Sequence, residues 1–429
     1  MNILKKMIGG VDVNRDLILL LTIGGLYSIS VALSNTFVNV YLWKQTGRFA
    51  DIALYNLAIV ILQPLTFILA GRWAKKIDRV VVLRLGVIFL SIFYITVLTF
   101  GEGASNFLVV LGGLLGVGFG FYWLAFNVLT FEITEPETRD FFNGFLGLLT
   151  SFAGMIGPIA AGFIISSMEQ LTGYTVIFSI SLGFFTGAVV LSFFLKRRSA
   201  KGNFSFRRII EEQKYNKNWK NICIAHFFQG LREGTFVFVI VVWVFVTTQS
   251  ELALGTFGLV QSSVAFVVYY LATRLIKPRH RKKAILAGGL LLYGAIFLIL
   301  FHLSYTRLIV YAVLISIAYP VLLVPYMSLT YDVIGRSWSA AEMRVEYIVV
   351  RELYLNMGRV LSILLFLGAV TFFDSEKSIP ILLSVIGVGH LIIYFFIRNI
   401  QLGNNDSRGR EVPAIHSRKL VDGESGSTP

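Results

Sequence analysis

The chain has a single cysteine, Cys223, in 429 residues, together with only five histidines and nine prolines. One cysteine excludes an internal disulfide and a cysteine-built zinc site, and the histidines are too scattered to form a metal cluster. Charge is scarce as well: Asp, Glu, Lys and Arg make up 14% of the sequence, where soluble domains carry about 25%. No P-loop and no G-x-S-x-G elbow occurs, so the sequence offers neither catalytic nor cofactor chemistry. Gly112, Gly116, Gly118 and Gly120 imitate a nucleotide-binding loop, but no strand precedes them and their setting is apolar. Their expected role is helix packing.

What is abundant is hydrophobicity. Apolar types reach 56%, mean hydropathy is +0.74 and glycine is frequent, at 39 residues. Twelve apolar runs follow one another, at 17–43, 52–73, 80–100, 107–131, 141–167, 174–195, 221–247, 252–275, 284–303, 308–334, 345–373 and 379–397. Each approaches or exceeds the roughly 20 residues that cross a bilayer as a helix. The first is too long for a signal-peptide core and no small-residue cleavage pattern closes it, so it is expected to be retained. The expected fold is an all-α membrane protein of twelve transmembrane helices in two six-helix bundles, residues 1–195 and 221–398. A polar linker, 196–220, separates them, and a polar tail, 399–429, is expected to be disordered.

Of the 38 Lys and Arg residues, 31 fall on one side of such an arrangement and four (Lys44, Arg48, Arg307 and Lys377) on the other. The remaining three, Arg232, Arg351 and Arg359, lie inside runs. This asymmetry places both termini and the linker in the cytoplasm. The net charge of +14 is thereby a topology signal and not a nucleic-acid footprint. The halves also repeat in sequence: LAGRWAKKIDR at 69–79 matches LATRLIKPRHR at 271–281. LTFEI at 129–133 matches LTYDV at 329–333, and NTFVNV at 35–40 matches GTFVFV at 234–239. A parallel six-plus-six repeat belongs to transporters whose halves rock around a central site.

The run at 345–373 carries Glu346, Arg351, Glu352, Asn356 and Arg359 in a segment otherwise soluble in lipid. An arginine near a bilayer centre costs about 2.5–3.5 kcal/mol on insertion scales, so these groups should face a bundle interior or a watery path. Glu352, Asn356 and Arg359, at i, i+4 and i+7, share one helix face. The run at 221–247 brings Gln229, Arg232 and Glu233 to a similar depth.

The loop GRWAKKIDR resembles the cytoplasmic signature of the major facilitator superfamily, G-x-x-x-D-R/K-x-G-R-R/K. Gly71, Lys76 and Arg79 match it, while Lys75 stands in the place of its acidic residue and Asp78 in that of its glycine. A second resemblance is to the antiporter-associated motif G-x8-G-x3-G-P-x2-G-G, met here by Gly144, Ala153, Gly157, Pro158, Ala161 and Gly162. The chain looks similar to a Firmicutes branch of that superfamily. The resemblance implies a secondary transporter of the bacterial cytoplasmic membrane, coupled to protons and biased towards efflux. It also implies that the first, fourth, seventh and tenth helices line the substrate cavity, with the second, fifth, eighth and eleventh beside them.

Candidate substrate or coupling residues are then Asn35, Asn39, Tyr122, Asn127, Gln229, Arg232, Glu233, Tyr326, Arg351, Glu352, Asn356 and Arg359. Gly71, Lys76, Asp78, Arg79, Gly157 and Pro158 are candidate gating positions, with Asp78 available to replace the missing acidic latch. Arg359 is expected to pair with Glu233 in preference to Glu352, which lies about 10 Å along the same axis. Glu132 and Asp332 are expected to be solvated at the membrane interface or paired with nearby basic loops, and His390 to be a packed or interfacial side chain. The excess of arginine points to an anionic or amphiphilic small-molecule or lipid-like substrate. No cofactor, metal or nucleic acid is expected, and a monomer is the expected state. A non-transporting scaffold or sensor, or a lipid-precursor flippase, is the alternative.

Overall fold

The computed structural model describes residues 14–133, 136–169, 171–196, 203–300 and 302–402. The expected disordered tail lies outside the described residues from position 403 onward. The amino-terminal half comprises α1 (Arg15–Thr46), α2 (Phe49–Lys76), α3 (Arg79–Phe100), α4 (Leu108–Ile133), α5 (Pro136–Ser166) and α6 (Thr172–Ser192). A short linker helix, Phe206–Glu211, leads to the carboxy-terminal half. That half comprises α7 (Lys217–Thr248), α8 (Glu251–Leu275), α9 (Arg281–Leu300), α10 (Tyr305–Gly335), α11 (Arg344–Phe372), α12 (Ser375–Ile386) and α13 (Gly389–Ile397).

Helix is the form such a sequence must take in lipid, because it satisfies every backbone N–H and C=O within one segment. Eleven helical stretches among the described residues are long and apolar enough to span. One of them, Arg79–Thr130, contains both α3 and α4, parted by the Gly101–Phe107 turn, so the crossings number twelve. The twelfth differs from expectation in being broken. α12 and α13 are separate helices joined at Gly387 and Val388. Gly389 there meets the Phe228 carbonyl and the Arg232 backbone of α7, an approach that a side chain at Gly389 would block.

The sequence repeat survives as geometry. Asn14 and Asn216 cap the first helix of each half, accepting from Leu17 N at 2.8 Å and Trp219 N at 3.0 Å. Those two helices also end alike, in left-handed residues: Gly47 at φ 64° and Gln249 at φ 51°. Arg79 meets Glu132 at 2.6 Å, and its counterpart Arg281 meets Asp332 at 2.6 Å. Each pair ties the start of the third helix of a half to the end of the fourth, so both acids take the paired alternative.

The halves meet along α2 with α11 and along α5 with α8. At the second contact, Gly255 and Gly258 of α8 receive Pro158 of α5, while Gly157 lies against Ala32 of α1. Small residues let these backbones approach, and Pro158 removes one helical hydrogen bond at the crossing. The bundle thus has a linker end, bearing residues 203–216, and a far end, bearing the turn at Gly47.

Candidate functional site

The polar centre lies in the carboxy-terminal half, around Glu233. Gly230 on α7 and Gly358 on α11 remove the side chains that would separate the two helices, so α7 and α11 cross nearly backbone to backbone. Thr235 Oγ1 and Ser362 Oγ, 2.8 Å apart, fasten the same crossing. That proximity lets Arg359 Nη2 donate to Glu233 Oε2 at 2.8 Å, the pairing the helix spacing predicts. Gln229 Nε2 and the Tyr319 hydroxyl each donate to Glu233 Oε1 at 2.9 Å. His390 of α13, wholly buried, brings Nε2 to 3.7 Å from the same oxygen. One carboxylate therefore gathers side chains from α7, α10, α11 and α13.

About two turns nearer the linker end of α11, Arg351 Nη2 donates to Glu352 Oε1 at 2.6 Å. Asn356 joins the two levels: its Nδ2 donates to the Glu352 carbonyl at 2.9 Å and its Oδ1 accepts from Arg359 Nη1 at 3.4 Å. Tyr326 is buried, with its hydroxyl 2.6 Å from His226 Nδ1. Arg232 is also buried, its guanidinium 4.5 Å from the centre of the Phe236 ring. The structure thus assembles Gln229, Glu233, Asn356 and Arg359 into one network, with Arg232, Tyr326, Arg351 and Glu352 around it.

The candidates of the amino-terminal half behave differently. Asn39 accepts from Asn56 Nδ2 at 2.8 Å, so it ties α1 to α2. Tyr122 is stacked on Tyr27, centroids 3.9 Å apart and 6° from parallel, within the core of that half. Asn35 and Asn127 are half-buried on α1 and α4 and do not reach the Glu233 network. Ser34 pairs with the Tyr94 hydroxyl, and Ser30 with the Ser181 carbonyl at 2.7 Å. These interior contacts are neutral hydrogen bonds and ring stacking, whereas the Arg79–Glu132 ion pair of this half lies at helix ends.

Two charged contacts close the molecule across its halves. At the linker end Lys75 Nζ of α2 meets Glu346 Oε1 of α11 at 2.6 Å, and Glu346 is 0% exposed. Lys75 also donates to the Glu342 carbonyl at 2.9 Å, and Ser205 N of the linker to Glu346 Oε1 at 3.3 Å. Gly71 admits the Phe204 ring and Val349 beside this contact. Asp78 Oδ1 accepts from Val80 N at 2.7 Å and caps α3. Lys76 is exposed, so the contact falls on its neighbour Lys75. At the far end Lys44 of α1 meets Glu251 of α8 at 2.8 Å, and the Tyr174 hydroxyl of α6 donates to the same carboxylate at 2.9 Å.

Sequence reasoning missed three of these residues. His390 was expected to be packed or interfacial; it is fully buried, and its place beside Glu233 carried no signal in the sequence. Glu251 carried no signal beyond an acidic residue at a helix start. Lys75 carried one: a cation in place of an acid in the signature calls for an acidic partner, and Glu346 opens the charged run of α11.

Comparison with known proteins agrees with this architecture. The model of the Major Facilitator Superfamily matches residues 20–344. The chain is 64% identical over 422 residues to Uncharacterized protein YqgE of Bacillus subtilis (strain 168), covering 98% of each chain. It is 70% identical over 174 residues to an uncharacterized protein in the sodM 3' region of Geobacillus stearothermophilus, across 41% of this chain and 81% of that one. The human organic anion transporter MFSD10 (TETRAN) shares the fold at a TM-score of 0.65 and 16% identity, over 90% of this chain and 100% of that one. The chain is a multi-pass membrane protein and belongs to the Major Facilitator Superfamily.

Proposed function

We propose that this protein is a secondary transporter of the bacterial cytoplasmic membrane that moves a small anionic or amphiphilic molecule by alternating access. The observation that carries the reading is the placement of two charged contacts between the halves, Lys75–Glu346 at the linker end and Lys44–Glu251 at the far end. Opening a path to one side requires breaking one pair while the other holds, which is the requirement of alternating access. The charge split along the sequence places the linker end, with both termini, in the cytoplasm.

The anionic character rests on the carboxy-terminal cluster, where Arg232, Arg351 and Arg359 face only Glu233 and Glu352. Three fixed cations against two carboxylates favour a substrate that brings the missing negative charge. The fold neighbour's description as an organic anion transporter is consistent with that charge, though at 16% identity the likeness carries fold alone. Outward movement is favoured by the Gly157–Pro158 resemblance, and proton coupling by the titratable Glu233 and His390 within the cluster. Glu233 would serve as the coupling carboxylate, and Gln229, Asn356 and Tyr326 as polar lining.

A non-transporting scaffold is the second reading, favoured by the altered signature at Lys75 and Asp78. The test is a thermal-stability screen of the purified protein against carboxylates, phosphates and lipid headgroups, followed by flux of each stabilising compound in proteoliposomes. Stabilisation and flux of an anion support the transporter. Stabilisation without flux supports the scaffold, and stabilisation by cations alone overturns the anionic reading.

A further inference from the structure

Three arginines lie inside the carboxy-terminal half, and two of them own a carboxylate: Arg359 has Glu233 and Arg351 has Glu352. Arg232 has none. It is 6% exposed, and its Nε and Nη2 have no hydrogen-bond partner among the described residues. Its surroundings are the Phe236 ring at 4.5 Å and Tyr311 of α10, whose hydroxyl faces the guanidinium. Stacking on an aromatic ring offsets part of the cost of burying a guanidinium but leaves its full charge without a counter-ion and two of its donors without acceptors. An uncompensated cation in that position needs an anion.

Neighbouring groups point the same way. His390, on α13, is held against Arg232 by the contact of Gly389 with the Arg232 backbone. Neither ring nitrogen of His390 has a hydrogen-bond partner among the described residues, and one of them carries a proton to donate. Glu233, next in sequence to Arg232 and 3.7 Å from His390, already accepts from Arg359, Gln229 and Tyr319. Gln229 Oε1 is without a partner too, but it is neutral and offsets no charge. The site therefore holds more buried donors than acceptors, and one full positive charge more than its carboxylates balance.

We propose that Arg232, with His390 beside it, binds an anionic group of carboxylate or halide size between α7, α10 and α13. The proposal deepens the anionic reading by naming the arginine that holds the charge. Arg351 and Arg359 are excluded from that task because each is neutralised within its own pair. The bound group is either the carboxylate of a transported molecule or an inorganic anion, and both chemistries need the same fork of Nε and Nη2 donors.

The experiment uses the full-length purified protein in detergent. Sodium gluconate is replaced stepwise by sodium chloride or sodium acetate at constant ionic strength, and the unfolding temperature is followed. The expected result is a rise of several degrees with at least one of the two small anions, lost in Arg232→Gln, which keeps hydrogen bonding without charge. A rise with acetate alone assigns the site to a carboxylate, and a rise with chloride assigns it to an ion of halide size. No rise with either, or an equal rise in Arg232→Gln, overturns the proposal. Should that variant fail to fold, bromide soaked into wild-type crystals gives the answer directly. An anomalous peak beside Arg232 supports the site, and peaks only elsewhere overturn it. Anion binding at Arg232 with no flux of any anion in proteoliposomes would leave the site standing and remove transport, so the two claims fail separately.

Discussion

Lys75 of α2 and Glu346 of α11 form an ion pair at 2.6 Å across the seam between the halves, and the carboxylate is wholly buried. The superfamily signature that Gly71, Lys76 and Arg79 resemble places an acid where Lys75 stands. The charge at the seam is therefore reversed, and the acid is supplied by the opposite half. Removing one partner of a buried pair strands the other, which costs about 3–5 kcal/mol in protein interiors.

Lys75→Ala should open the linker end. On a Cys223→Ser background, a cysteine introduced at Ser205 is expected to react several-fold faster with a water-soluble thiol reagent once Lys75 is lost. The double variant Lys75→Glu/Glu346→Lys should return the rate towards that of the unaltered pair. Equal rates in all three proteins would show that the pair holds nothing closed.

Glu251→Gln should do the reverse at the far end. It removes the charge that Lys44 and the Tyr174 hydroxyl share, while the linker-end pair stays intact. A cysteine at exposed Leu252 is expected to gain accessibility from outside intact cells, with no gain at Ser205. A parallel gain at both positions would indicate loosening of the whole bundle and not opening of one end.

Much of this arrangement is legible in the chain itself. Twelve apolar runs and the repeat offset follow from spacing, whereas the pairing of Arg359 with Glu233 needed the adjacency of the seventh and eleventh helices that the family resemblance implies. Contacts between halves are less legible. Lys75 and Glu346 are 271 positions apart, and nothing in the local spacing of either residue points to the other. Asn39 was read as path-lining because polar residues in apolar helices usually are. Its hydrogen bond from Asn56 shows the other solution, in which two amides satisfy each other. The proximity of His390 to Glu233 was not legible, because the break at Gly387 and Val388 that divides the twelfth run is announced by no apolar pattern.

Topology offers an independent check. Reporters fused after Lys201 and Gly403 should read as cytoplasmic, and one placed in the turn at 101–105 as external. An external read-out after Lys201 would remove the even number of crossings in the first half.

The Arg359–Glu233 pair separates structure from coupling. Arg359→Ala should lower the yield of folded protein by leaving Glu233 buried without its cation. Glu233→Gln/Arg359→Gln, which strands no charge, should recover the yield and abolish transport. Normal yield and normal flux in Arg359→Ala would dismiss both roles.

Alternation between the two ends is the central claim, and double electron–electron resonance measures it most directly. On the Cys223→Ser background, one spin-label pair at Ile77 and Lys283 reports the linker end and another at Glu102 and Lys377 reports the far end. Lys75→Ala should lengthen the first distance while the second stays short, and Glu251→Gln should lengthen the second while the first stays short. Distances at both ends that remain single and unchanged in both variants would contradict alternating access and leave a rigid membrane scaffold.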